Sequence, residues 1–102
     1  MAKLEQLLDV LHESITLSSA EDIKNACALI IEAQWLDAAE RDVLRALYRE
    51  GPLWDGDISS KKGRDLLLSK GYVEKIVVRE EEGYNACTYD GARVYRLIEA
   101  GA

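Results

Sequence analysis

The feature that most restricts this chain is a change of hydrophobic period at Gly71. Before it, apolar residues recur at helical spacing. After it, residues 72–79 place Val73, Ile76, Val77 and Val78 in a β-branched run that reads as a strand. Residues 80–83, Glu-Glu-Glu-Gly, read as a tight polar turn. Residues 84–89 (YNACTY) alternate and read as the returning strand of a hairpin. Asp90 is expected to cap a last short helix carrying Val94, Tyr95, Leu97 and Ile98.

The preceding part reads as four helices. Residues 3–16 place Leu4, Leu7, Leu8, Leu11 and Ile15 on one stripe, with Lys3, Glu5, Asp9 and Glu13 on other faces. Ser18 or Ser19 is expected to cap a second helix that runs to about Gln34, and Ser18 with Glu21 fits a capping box. Its expected buried face is Ile23, Ala26, Cys27, Ile30 and Ile31. Asp37 with Glu40 is a second capping box, opening a helix over residues 38–50 with Val43, Leu44, Leu47 and Tyr48 on its stripe. Gly51 and Pro52 stop it. Residues 53–57 read as a turn-rich connection, and a fourth helix is expected over about 60–70, closed by Gly71. Gly63 inside that helix costs about 1 kcal/mol relative to alanine. The order α, α, α, α, β, β, α gives an α+β fold with no internal repeat or linker.

The 102 residues suffice for one domain with one core, and an apolar content of 48% with a single proline argues for an ordered chain. Cys27 and Cys87 lie far apart and His12 is the only histidine, so no metal-ligand spacing exists and no metal or other cofactor is expected. Cys27 and Cys87 read as small buried apolar residues. Asp55, Asp57 and Ser59 faintly resemble a calcium loop but lack its glycine and terminal glutamate. No Gly-rich phosphate loop or nucleophile elbow occurs and His12 has no nucleophile beside it, so no catalytic residues and no enzymatic activity are expected. The opening Met1–Leu4 runs into a charged amphipathic pattern, and no apolar run approaches the ~20 residues of a membrane span. A cytoplasmic protein is expected, with no membrane partner.

The net charge of −6 opposes binding to nucleic acid, but its distribution is uneven. Residues 1–57 carry 5 basic and 12 acidic side chains, and residues 80–102 carry 2 and 5. Residues 58–79 carry 6 basic (Lys61, Lys62, Arg64, Lys70, Lys75, Arg79) and 2 acidic (Asp65, Glu74).

Three motifs then carry a resemblance. The first is Leu36-Asp37-x-x-Glu40-x-x-Val43-Leu44-x-x-Leu47, followed by Gly51-Pro52-Leu53. The second is Leu66-Leu67-x-x-Lys70-Gly71-Tyr72-Val73-Glu74-Lys75, and the third Thr88-Tyr89-Asp90-Gly91-Ala92-Arg93. In that order, over residues 36–98, the chain resembles winged-helix domains, most closely those of the multiple-antibiotic-resistance regulator and related bacterial repressors. Length and the lack of a linker suggest a single domain over residues 1–102. Residues 36–102 would form the winged-helix part, with a two-stranded hairpin wing and a C-terminal helix. Residues 1–35 would form a helical pair available for a homodimer. One departure stands out. Only 17 residues separate Gly51-Pro52 from Lys70-Gly71, so the first element of the helix-turn-helix is reduced.

The resemblance makes the helix over 60–70 the recognition helix. Ser60, Lys61, Lys62 and Arg64 would meet double-stranded DNA, with Lys70, Lys75 and Arg79 extending that surface. The plainer reading of these cations is a solvated surface. Glu80, Glu81 and Glu82 at the wing tip would be repelled by phosphates and fit a solubilising turn or a basic protein partner. Trp54 reads as a lid on the core. Two functions are therefore expected from different classes. One is a small DNA-binding regulator of bacterial or phage origin. The other is a winged-helix protein-interaction module, an adaptor or assembly component, that binds no DNA.

Overall fold

The computed structural model describes residues 4–12 and 20–102. The expected Ser18 cap and Ile15 at the end of the first stripe lie outside the described residues. The fold is α+β. Five helices are described: α1 (Leu4–His12), α2 (Ala20–Gln34), α3 (Ala38–Glu50), α4 (Lys61–Lys70) and α5 (Tyr89–Glu99). Three strands accompany them, β1 (Leu53–Trp54), β2 (Val73–Arg79) and β3 (Glu82–Cys87), with a 3-10 turn at Asp55–Asp57 after β1. No helix among the described residues is long and apolar enough to cross a membrane.

Contacts divide the chain into two compact units, Asp37–Ala92 and the remainder, with the boundary inside α5. In the unit formed by the N-terminal residues and Arg93–Ala102, α1 packs on α2. Leu7, Leu11, Ala26, Ile30, Ala33, Val94 and Leu97 are buried there. The buried face of α2 is narrower than its apolar content predicts. Ala26, Ile30 and Ala33 are buried, whereas Ile23 and Ile31 are exposed and Cys27 is half-buried. A 15-residue helix that turns one side inward covers only about a third of its circumference, and the apolar residues of α2 spread further round than that.

In the unit Asp37–Ala92, α3 packs on α4 and β3, and α4 packs on β2. Val43, Leu44, Leu47, Ile58, Leu67, Tyr72 and Val73 form its apolar core. Full burial of each such side chain stabilises by roughly 1.5–3 kcal/mol. The capping box of α3 forms as the sequence predicts. The Glu40 N–H donates to Asp37 Oδ1 at 2.7 Å and the Asp37 N–H donates to Glu40 Oε1 at 3.2 Å. Tyr48, expected on the inner stripe, is exposed.

Helix α4 starts at Ser60, whose Oγ accepts from the Gly63 N–H at 3.0 Å. It ends at Gly71, which adopts the left-handed conformation with φ of 82°. The Tyr72 N–H then donates to Leu67 O, completing a Schellman closure. The propensity cost of Gly63 has a structural cause. A Cβ there would lie 3.0 Å from the Ala39 carbonyl oxygen at the start of α3, so glycine permits the close approach of α3 and α4.

The strands form one antiparallel sheet in the order β1-β3-β2. This adds a third strand to the expected two-stranded hairpin. Leu53 pairs with Asn85 and Trp54 with Tyr84. Two residues are too few to show a period, which is why residues 53–54 read as connection. The hairpin turn is also tighter than expected. β2 reaches Arg79, β3 starts at Glu82, and Glu80 turns the chain with φ of 56°. Gly83 therefore lies within β3 and not in the turn. A Cβ there would stand 2.0 Å from Ile76 O, so the strand pairing itself requires the glycine. The last helix begins two residues earlier than predicted. Thr88, not Asp90, is its cap: Thr88 Oγ1 accepts from the Gly91 N–H at 3.0 Å and donates to Gly71 O at 2.7 Å.

Candidate functional site

The register gives the sheet two faces of opposite chemistry. On one face Leu53, Asn85 and Lys75 lie in a row across β1, β3 and β2. On the other face Trp54, Tyr84 and Ile76 lie in the next row.

The first row is closed over by Asp55, which the 3-10 turn delivers directly after β1. Asp55 Oδ1 accepts from Arg64 Nη1 and from Asn85 Nδ2, each at 2.8 Å. Its Oδ2 accepts from Lys75 Nζ at 3.0 Å and from the Gly83 N–H at 3.1 Å. A carboxylate offers about four acceptor sites, and all of these are filled. Asn85 is fully buried. It also accepts from Arg64 Nη1 at 3.3 Å and donates to Leu53 O at 3.3 Å. Arg64 Nε donates to Asp65 Oδ1 at 2.7 Å. Hydrogen bonds from Asn85 and then Lys75 hold the Asp55 carboxyl far below the usual carboxylate range, against the opposing effect of burial. At neutral pH the group is an anion whose lone pairs are all engaged. It is placed to join the 3-10 turn, α4 and the hairpin, and offers no free lone pair to a metal.

The six residues expected at a DNA surface therefore separate. Arg64 has a side chain only 10% exposed and is held between Asp55 and Asp65. Lys75 is bound to Asp55. Lys70 donates to the buried Glu40 at 2.6 Å. Ser60 is spent on the helix cap. Lys61 and Lys62 extend into solvent from the first turn of α4. Arg79 forms a loose exposed pair with Glu82 at 3.6 Å. An open depression of about 520 Å³ lies along α3, lined by Asp42, Arg45, Ala46, Arg49, Glu50 and Ser59, and its two arginines face two carboxylates of balancing charge.

The second row is open. Ile76 is 52% and Tyr84 44% exposed there; Val77, opposite Gly83 on the Lys75 face, and Val78, at the irregularity of β2, are also exposed, at 57% and 61%. Trp54 packs edge-on to Tyr84 with ring centroids 5.1 Å apart, a geometry that aromatic pairs favour. Trp54 is half-buried and stands in a strand of the sheet beside Tyr84, not in the loop that the sequence suggests. The row is not legible in the sequence, where residues 53–57 read as a connection. Nor is the Asp55 cluster, because the partners lie 9 to 30 positions apart. One signal was present: Asn85 occupies an inward position of an alternating strand, where a polar side chain demands a buried partner.

Burial pushes the Cys87 thiol up to about 11, so it carries no thiolate at neutral pH. Among the described residues no cluster of His, Cys, Asp and Glu could hold a metal ion. No family model, curated protein or solved structure matches the chain.

Proposed function

We propose that the chain is a non-catalytic protein-interaction module of winged-helix-like build that engages its partner through the hairpin. The order helix, helix, hairpin, helix from α3 to α5 agrees with what the resemblance implies. The 3-10 turn at Asp55–Asp57 stands where a longer first element of a helix-turn-helix would be. The observation that carries the functional reading is the contrast on the sheet. Three of the cations that a DNA surface would use are bound to carboxylates, while consecutive β-branched residues face solvent on β2. Exposed apolar surface of this kind marks sites of association.

The test is a fluorescence-anisotropy titration of mixed-sequence duplex DNA at about 50 and about 200 mM salt. No binding at the lower salt is the expected result. Binding that falls steeply with salt would overturn the reading.

A second reading, a DNA-binding regulator, draws on one observation: Lys61 and Lys62 are exposed on the opening turn of α4, the end of a recognition helix that approaches base edges. On that reading, reversing the charge of both lysines abolishes binding. The homodimer expected through residues 1–35 would use the exposed side of α2, where Ile23, Ile31 and, just beyond the helix, the 77% exposed Trp35 lie.

A further inference from the structure

We infer that the β2 edge pairs with the β2 edge of a second copy of this chain, in antiparallel register centred on Ile76, to make one continuous six-stranded sheet. The inference rests on the reading of the hairpin as an association surface and names its occupant.

Strand β2 is an outer strand, since the order is β1-β3-β2. An edge strand presents unpaired backbone donors and acceptors, and proteins blunt it with proline, charged side chains, bulges or a covering element; here the irregularity lies beyond Val77 and leaves Val73–Val77 regular. This edge spans seven residues and contains no proline. Its one lysine, Lys75, is turned onto Asp55 and does not guard it.

The occupant follows from the charge pattern. Glu74, Ile76 and Arg79 oppose Ala86, Tyr84 and Glu82, alternate residues of β3, and so share one face of the sheet. Arg79 joins this row because the irregularity between Val77 and Arg79 leaves Val78 without a cross-strand partner. The row reads acid, apolar, base. A two-fold axis beside Ile76, midway between the two edges and perpendicular to the sheet, sets Ile76 against Ile76 of the second copy. It sets Glu74 toward Arg79 of the second copy, and Arg79 toward its Glu74. The row is its own complement under that rotation, as a two-fold interface requires. The apolar rows join as well, because Trp54, Tyr84 and Ile76 of each copy become one line across the sheet.

The test is sedimentation velocity on the full chain across a concentration series, for wild type, E74R, R79E and the double variant E74R/R79E, with I31D as the control for α2. All these positions are exposed, so folding is retained and is verified by circular dichroism. Opposite charges that face one another across strands stabilise the pairing, and like charges destabilise it. Turning both symmetric pairs repulsive should therefore weaken the dimer about tenfold in E74R and in R79E. The double variant restores complementarity and should return to near wild-type affinity, while I31D leaves the dimer unchanged. A dimer indifferent to the β2 changes and lost in I31D would overturn the proposal in favour of α2. A chain that stays monomeric throughout would also overturn it. It would leave the interaction-module reading standing, because that reading is decided by the DNA titration.

Discussion

The two faces of the small sheet invert the usual arrangement. The side covered by Asp55 and α4 holds an amide, a guanidinium, an ammonium and a carboxylate, while the side toward solvent holds a tryptophan, a tyrosine and an isoleucine. A one-residue slip of register would exchange the faces, turning buried Val73 and Asn85 outward and Glu74 inward. The polar row gives the covered face direction. Each polar group there accepts only a partner of the right kind at the right distance, so the cluster fixes the register that leaves Ile76 outside. In this hairpin, positional specificity comes from the polar face and the capacity for association from the apolar one.

The comparison can be broken most severely at Arg64. Arg64→Leu removes a nearly buried cation and leaves its carboxylate short of a partner, so a loss of about 3 kcal/mol is expected, read as a lower urea midpoint with the slope unchanged. Asn85→Leu should cost less, about 1–3 kcal/mol, because the amide is neutral but fully buried and bonded on both sides. A gain in stability from either change would show that the polar face is dispensable.

The third expectation concerns acid. The folded-state pKa of Asp55 lies below its unfolded value, so its contribution is fully present above the ordinary aspartate pKa of about 3.9. That contribution is lost as pH falls below that point toward the depressed value. Thermal melts of Asp55→Asn should therefore be less stable than wild type near neutrality, with the gap closing below about pH 4. A gap that stays constant to about pH 2 would remove the carboxylate from this role. The smallest effect belongs to the open face. Ile76→Ser should alter monomer stability by no more than about 0.5 kcal/mol, measured at a concentration too low for association. A large loss would mean that the row is structural.

Local chemistry made much of this molecule legible in its sequence. Asp37 and Glu40 mark the start of α3 and Gly71 the end of α4, because caps depend on residues within a few positions. The β-branched run marks β2. What escaped depends on distance along the chain. Residues 53 and 54 become a strand only because Asn85 and Tyr84 arrive beside them. Arg64 reads as a surface cation until Asp55 and Asn85 close round it. Thr88 outcompetes Asp90 as a cap because its hydroxyl also reaches Gly71 O, a contact no nearest-neighbour pattern contains. The exposed residues of α2 read as buried because periodicity reports which side chains are apolar, not how wide a face the fold will cover.

Asp55 also bears on the order of folding events. Its partners reach it from Arg64, Lys75, Gly83 and Asn85, so it cannot be satisfied until α4 has docked and both strands of the hairpin have met. Contacts of such separation close after local helices have formed, because the loops between them must first lose their freedom. The cluster is expected to act as a clasp that fastens late in folding. Loosening it should leave the rate of folding nearly unchanged and shorten the lifetime of the native state, making these four segments a kinetic lock on the molecule.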